Sequence, residues 1–120
     1  MQAELVKTFY FEAAHALPNL PPGHKCSRMH GHSYRVDVHI VGPVGQRTGW
    51  VMDFGQVKAA LEPVIAELDH HVLHEIPGLE NSTAERLAAF LWGRVADRLP
   101  GLSAVTVWES ETARVTYRGE

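Results

Sequence analysis

Hydrophobic and polar residues alternate most regularly in the segment SYRVDVHIVG, residues 33–42. Its apolar positions are Tyr34, Val36, Val38 and Ile40. This period of two predicts a β-strand with one apolar face. The segment LVKTFYFEA near the start of the chain is rich in β-branched and aromatic residues and predicts another strand. Between the two strands, ALPNLPPGHKCSRM contains three of the seven prolines and predicts a loop.

A later segment has the spacing of an amphipathic helix. Asp53 is a candidate N-cap for a helix that runs to about Asp69. Pro63 inside this segment should bend the helix or delay its start. The predicted apolar stripe consists of Phe54, Val57, Leu61, Ile65 and Leu68.

A second helix is predicted in NSTAERLAAFLWGRVADRLPG. Ser82 and Glu85 have the pattern of a capping box at its start, and Pro100 with Gly101 ends it. Its apolar face consists of Leu87, Phe90, Leu91 and Val95.

The segments SAVTVWES and TARVTYRG complete the pattern as a C-terminal β-hairpin. The predicted order is therefore β-β-α-α-β-β, an α+β fold in which two helices cover one face of a small antiparallel sheet. No linker or repeat divides the sequence, so residues 1–120 are predicted to form a single domain. Such a sheet has two exposed edges, and we expect them to pair with other subunits.

The composition narrows the possible partners. The formal net charge is −3, which gives no reason to expect nucleic acid or an anionic membrane as a partner. The single cysteine excludes an intramolecular disulfide, which fits a reducing compartment. Because the sequence shows neither a signal-peptide pattern nor an apolar run of membrane-spanning length, we expect a soluble cytoplasmic protein.

Eight histidines are the most unusual feature of the composition. His30 and His32 point to the same side of an extended backbone, and His15 follows the strand expected to pair with them. Three imidazoles on a rigid sheet form a tetrahedral Zn²⁺ site with one open position, which is a catalytic arrangement. Ordinary hydrogen-bonded histidines are the competing interpretation, and the number of candidate ligands favours the metal site.

Cys26 allows three interpretations. As a fourth ligand it would close the zinc site and make it structural. As a free thiol beside a cation it would act as a base or nucleophile, and as a buried small residue it would have no chemical role. Lys25 and Arg28 make the surrounding segment a polar, basic loop, which argues against burial.

A second group of polar residues lies in LDHHVLHE, residues 68–75. Asp69 could orient the imidazole of His70 for acid–base chemistry. Alternatively, His70 and His74 at helical i,i+4 spacing could form a second metal site, or the histidines could simply suit a helix C-terminus. The residues alone favour the last interpretation.

Glu109 ends a strand and could be solvated at the hairpin turn or accept two N–H bonds from a planar heterocycle.

Six motifs occur together along the chain: FEAAH, CSRMHGHSYRVDV, GWVMDFGQVK, LDHHVL, STAERLA and VTVWES. In content and order they resemble the motifs of the 6-pyruvoyl-tetrahydropterin synthase family, over nearly the whole chain. The spacing Cys-x-x-x-His-Gly-His resembles the bacterial and archaeal 6-carboxy-tetrahydropterin synthases of the queuosine pathway. Animal tetrahydrobiopterin enzymes have one more residue between cysteine and histidine, and a third branch has glutamate in place of the cysteine.

The resemblance implies a tunnelling fold, in which three subunits join their sheets edge to edge into a barrel and two trimers stack into a hexamer. The implied zinc ligands are His15, His30 and His32. The implied catalytic residues are Cys26 as base and the dyad Asp69 and His70. Glu109 would anchor the pterin ring at a subunit interface, and Lys25 and Arg28 are candidates to hold the triphosphate.

The implied substrate is 7,8-dihydroneopterin triphosphate, and the implied products are 6-carboxy-5,6,7,8-tetrahydropterin, acetaldehyde and triphosphate. One alternative is 6-pyruvoyl-tetrahydropterin synthase, which keeps the carbon chain. Another is a non-catalytic, zinc-stabilised binding module with Cys26 as fourth ligand. The chain departs from the family pattern at position 82, where the family often has proline and this chain has Ser82. This change should affect only the helix cap. The chain also departs at His74, which could add a hydrogen bond or a stray metal site.

Overall fold

The computed structural model describes all residues from Met1 to Glu120. The strands are β1 (Gln2–His15), β2 (His30–Pro43), β3 (His71–Val72), β4 (Leu102–Ser110) and β5 (Ala113–Tyr117). The α-helices are α1 (Phe54–Leu68) and α2 (Ala84–Val95), and short 3₁₀ turns lie at Lys25–Ser27, Leu73–Glu75 and Ala96–Arg98. The predicted order β-β-α-α-β-β is confirmed, with the two-residue β3 as an addition. Neither α-helix combines the length and apolar character that crossing a membrane requires.

The strands form one sheet in the order β3-β1-β2-β4-β5. Neighbouring strands are antiparallel, except that β3 runs parallel to β1 at Ala13–Ala14. The sheet is therefore mixed, whereas the sequence predicted a purely antiparallel sheet. The chain leaving α1 runs beside the end of β1, and this contact is too short to produce a recognisable alternation of apolar residues.

One face of the sheet packs against the helices. The alternating apolar residues of β2 are all buried as predicted: Tyr34, Val36, Val38 and Ile40. The buried residues of α1 are Val57, Ala60, Leu61, Val64 and Leu68. The predicted stripe is wrong at Phe54, which is exposed, and Ile65 is only half-buried. Asp53 caps α1 by accepting a hydrogen bond from the Gly55 N–H at 2.9 Å, and Pro63 does not delay the start of the helix.

The start of α2 differs from the prediction by one residue. The N-cap is Thr83, whose hydroxyl accepts a hydrogen bond from the Arg86 N–H at 3.2 Å. Serine and threonine are both good N-caps, so two adjacent candidates could not be separated from the sequence. Ser82 is fully buried and its polar atoms contact His15 instead.

Candidate metal centre and active site

The register between β1 and β2 brings the three predicted zinc ligands together. His15 lies opposite His30, and Ala13 lies opposite His32, so all three imidazoles project from the helix-facing side of the sheet. Their ligand atoms lie within 4.8 Å of one another. The predicted juxtaposition is confirmed, and the three-histidine group could hold a metal ion. Cys26 is not a member of this group.

Backbone carbonyls fix the orientation of two of these rings. The Nδ1 atom of His15 lies 2.9 Å from the Ser82 carbonyl oxygen, and the Nδ1 atom of His30 lies 2.8 Å from the Arg28 carbonyl oxygen. A carbonyl can only accept, so each Nδ1 carries the proton and each Nε2 has a free lone pair. Metal-binding histidines are held in the same way, by a hydrogen bond from the nitrogen that does not bind the metal.

The third ring has a buried nitrogen with no hydrogen-bond partner. This atom is Nε2 of His32. The nearest carboxylate oxygen, Oε2 of Glu109, lies 3.7 Å away, which is too long for a hydrogen bond. Buried polar atoms are nearly always satisfied in folded proteins. An unpaired ring nitrogen facing two others therefore fits a metal ion at this position.

Burial keeps the His15 ring neutral, as a metal ligand must be. The residue is 1% exposed, and this burial, together with the nearby rings of His30 and His32, lowers its pKa below the usual value. The Ser82 carbonyl and the Glu109 carboxylate act in the opposite direction but do not outweigh these effects.

Tyr34 adds a hydroxyl that the sequence analysis counted only as an apolar position. Its ring stacks on Phe11 with a centroid distance of 4.8 Å, and its hydroxyl oxygen lies 3.5 Å from Nε2 of His15. Burial, with a smaller effect from Glu109, raises the pKa of Tyr34. The phenol therefore stays protonated beside the histidine group.

Cys26 lies in the 3₁₀ turn Lys25–Ser27, within the predicted loop, and is half-buried. Its carbonyl oxygen accepts a hydrogen bond from the Leu17 N–H at 2.9 Å. Lys25 and Arg28 are both exposed at this turn. The turn thus carries a free thiol in a segment whose neighbouring residues Lys25 and Arg28 are cationic and exposed.

Asp69 and His70 are in direct contact. Oδ1 of Asp69 lies 3.0 Å from Nδ1 of His70 and accepts a hydrogen bond from the Glu12 N–H at 2.9 Å. His70 has a φ of 59°, an uncommon conformation for a residue other than glycine, and its N–H donates to the Glu12 carbonyl at 2.6 Å. The Glu12 N–H and, after it, His70 lower the pKa of Asp69. Asp69 is therefore an ionised carboxylate that can orient the imidazole.

Of the roles considered for His74 in the sequence analysis, the structure supports the additional hydrogen bond. Helix α1 ends at Leu68, so His70 and His74 do not have the helical spacing on which a second metal site depended. Nδ1 of His74 accepts a hydrogen bond from the Ala16 N–H at 3.1 Å. His74 therefore holds the backbone that follows His15.

A cleft of about 450 Å³ opens beside the histidine group. Its lining includes Glu12, His32, His70 and His71. Glu109 lies next to His32, not at the solvated hairpin turn. The structure thus brings His70 and His32 to one cleft, whereas Cys26, Lys25, Arg28 and Glu109 do not line it.

Comparisons with known proteins agree with this arrangement. The family model described as 6-pyruvoyl tetrahydropterin synthase matches residues 4–120. The 6-carboxy-5,6,7,8-tetrahydropterin synthase of Synechocystis sp. is 40% identical over 119 residues, covering 94% of this chain and 91% of that protein. The dihydroneopterin monophosphate aldolase of Pyrococcus furiosus is 32% identical over 112 residues, covering 91% of each. The solved structure of Caenorhabditis elegans 6-pyruvoyl tetrahydropterin synthase is 25% identical, with a TM-score of 0.92 and coverage of 100% of this chain and 97% of that one. The α+β fold predicted for the single chain, that of the tunnelling-fold subunits, is confirmed.

Proposed function

This chain belongs to the 6-pyruvoyl tetrahydropterin synthase family, and on that premise we propose that it is a zinc-dependent 6-carboxy-5,6,7,8-tetrahydropterin synthase. It converts 7,8-dihydroneopterin triphosphate to 6-carboxy-5,6,7,8-tetrahydropterin, acetaldehyde and triphosphate, a step in the biosynthesis of queuosine, a 7-deazaguanine nucleoside. The observation that carries the proposal is the three-histidine group with Cys26 outside it, in a chain 40% identical to a protein of that name.

Zinc is the metal that suits the donor set. Three neutral imidazoles and one open position are typical of catalytic Zn²⁺ sites. His15 and His30 would bind through Nε2, because their Nδ1 atoms donate to carbonyls, and His32 would bind through its unpaired Nε2. When bound, the ion would stabilise negative charge on a substrate oxygen.

Cys26 serves as the base that takes a proton from the side chain of the substrate. The supporting observations are its free thiol, its position in a turn next to the metal-binding strands, and its separation from the histidine group. Lys25 and Arg28 are exposed on the same turn and are suited to pair with the triphosphate through charge-assisted hydrogen bonds.

The pair Asp69 and His70 exchanges a second proton. Asp69 holds Nδ1 of His70, which leaves Nε2 of the ring free for proton transfer, as in other carboxylate–imidazole pairs. Glu109 anchors the heterocycle, since a carboxylate can accept two parallel N–H bonds from a pterin ring.

Assembly follows from the unpaired edges of the sheet. Strand β3 covers β1 only at Ala13–Ala14, so most of one edge of β1 has no neighbouring strand, and β5 is the opposite edge. Edge-to-edge pairing of three subunits satisfies both edges, and two such trimers form the hexamer. A monomeric mass in light scattering at micromolar concentration would contradict this assembly.

Product identification tests the reaction. The zinc-loaded protein is incubated with 7,8-dihydroneopterin triphosphate, the pterin is identified by mass spectrometry, and acetaldehyde is measured with alcohol dehydrogenase and NADH. We expect 6-carboxy-tetrahydropterin and acetaldehyde in equal amounts. A 6-pyruvoyl pterin without acetaldehyde would identify the alternative synthase, and no turnover at full zinc loading would support a binding module.

A further inference from the structure

We propose that His24 is a positioning residue for Cys26, and that it acts by accepting a hydrogen bond at its ring Nδ1, which caps the turn that carries the thiol. This inference rests on the proposed role of Cys26 as the catalytic base. The metal ligands and the Asp69–His70 pair do not include His24.

His24 accepts three hydrogen bonds from the residues that follow it. Its Nδ1 accepts from the Cys26 N–H at 3.0 Å. Its carbonyl oxygen accepts from the Ser27 N–H at 3.0 Å and from the Ser27 hydroxyl at 2.6 Å. With φ −63° and ψ 133°, His24 has the extended backbone of an N-cap, a position that serine, threonine, aspartate and asparagine usually occupy.

The turn depends on these bonds because other stabilising interactions are few. None of its three residues, Lys25–Ser27, is buried, so hydrophobic packing does not hold it in place. A 3₁₀ segment of this length has poor hydrogen-bond geometry and is not stable by itself. Without the ring acceptor, the Cys26 N–H could hydrogen-bond only to water. The turn would then lose the bond that caps its start.

The same turn is connected to both strands that carry the metal ligands. The Leu17 N–H, two residues after His15, donates to the Cys26 carbonyl at 2.9 Å. The ring of His30 donates through Nδ1 to the Arg28 carbonyl at 2.8 Å. These two bonds fix the end of the turn relative to the histidine group, and His24 fixes its start. The position of the thiol relative to the metal ligands therefore requires all three contacts.

The geometry also defines which property of His24 matters. A backbone N–H can only donate, so Nδ1 of His24 must be unprotonated, and the ring serves as an acceptor. Asparagine supplies an acceptor at an N-cap without an imidazole. A ring that transferred protons or bound metal could not be replaced in this way, so His24→Asn separates the two roles.

The experiment compares wild type, His24→Ala and His24→Asn, all loaded with zinc. Amide exchange at Cys26 is followed by NMR, zinc content by elemental analysis, and kcat and KM with 7,8-dihydroneopterin triphosphate. In His24→Ala we expect Cys26 amide exchange to be faster and kcat to be lower, each by about five- to tenfold, the factor to which the typical stability cost of losing an N-cap converts. KM and zinc content should stay at the wild-type values. In His24→Asn all four quantities should lie within about twofold of wild type.

Two kinds of result would overturn the proposal. If His24→Asn loses as much kcat as His24→Ala, the imidazole itself takes part in chemistry. If His24→Ala keeps the wild-type exchange rate and kcat, or changes only KM, the ring does not position the thiol. A failure of the proposed function is distinguishable, because wild type would then form no 6-carboxy pterin while the exchange rates still report whether His24 caps the turn.

Discussion

The Nδ1 atom of His15 lies 2.9 Å from the carbonyl oxygen of Ser82 and 3.2 Å from its hydroxyl oxygen. Ser82, which precedes the N-cap of α2, thus orients His15, a proposed metal ligand at the end of β1. The backbone carbonyl is the closer acceptor and is present whatever the side chain, whereas the hydroxyl is a contribution of this serine. We predicted from the sequence that serine at position 82, where the family often has proline, would affect only the helix cap. This prediction is wrong, because the Ser82 hydroxyl also contacts His15.

Ser82→Ala should weaken zinc binding without unfolding the protein. The loss of a polar partner of a metal-bound histidine typically reduces affinity by about 10- to 100-fold, and because the carbonyl remains we expect the lower end of that range. Competition with a fluorescent chelator measures this affinity. Thr83→Ala is the matched control: it removes the cap of α2 and should lower the free energy of unfolding by about 1 kcal/mol with unchanged zinc affinity. Equal zinc affinity in Ser82→Ala and wild type would contradict the role of the hydroxyl.

His30→Ala and His32→Ala should each lose zinc and turnover together, because a three-histidine site has no spare ligand. His39→Ala is the control, since His39 lies on the same strand but on the other face of the sheet, near Glu4 and Thr106. Elemental analysis of the purified proteins measures the outcome. A full equivalent of zinc in either ligand variant would show that the metal lies elsewhere.

The helix-free face of the sheet contains a buried carboxylate whose loss should reduce stability. Asp37, with 8% of its side chain exposed, accepts hydrogen bonds from Arg35, Thr8 and Trp108. Asp37→Asn should lower the free energy of unfolding at pH 7 by about 2 kcal/mol, as expected for hydrogen bonds to a charged group. Denaturant titration measures the change. Glu67→Gln is the control, because the Glu67–Arg94 pair is exposed and should contribute little.

The Asp37 effect should depend on pH in a defined direction. Burial raises the pKa of Asp37, but the bonds from Arg35, Thr8 and Trp108 outweigh it, so the net pKa is lower than its usual 3.8. A carboxyl group with a lower pKa in the folded state stabilises the fold above its unfolded value, and this contribution is lost as pH falls through the folded value. The difference between wild type and Asp37→Asn should therefore be full at pH 7 and shrink below about pH 4. A difference that grows on acidification would contradict this account.

His70→Ala should lower turnover by about 10²- to 10⁴-fold, the usual contribution of a general acid or base, and should keep its zinc. His71→Ala is the control, because His71 lines the same cleft but its Nδ1 contacts the Asp69 carbonyl at 2.8 Å and not the carboxylate. We expect His71→Ala to remain close to wild type in steady-state assays. Equal losses of turnover in His70→Ala and His71→Ala would contradict a specific catalytic role for the Asp69–His70 pair.

The sequence predicted those parts of the site that depend on strand periodicity. His30 and His32 share a face because they are two residues apart, and antiparallel pairing of consecutive strands places His15 opposite His30 on that face. These relationships follow from the geometry of extended chains.

Other contacts could not be predicted because they depend on irregular backbone. The contact between Asp69 and His70 depends on a left-handed residue that propensity does not favour, and the His15–Ser82 contact joins segments 67 residues apart. The choice of Thr83 over Ser82 as the cap depends on how the preceding loop packs. Nothing in the residue pattern distinguishes the cap at His24 from an ordinary loop histidine.

The most direct test of the account measures zinc content and product formation side by side in Cys26→Ala. The three histidines could hold the metal without the thiol, so the variant should keep a full equivalent of zinc while acetaldehyde release falls by at least about 10²-fold, as expected for loss of a general base. A Cys26→Ala protein that releases acetaldehyde at close to the wild-type rate would contradict the base assignment, and one that lacks zinc would show that Cys26 is a fourth ligand of a structural site.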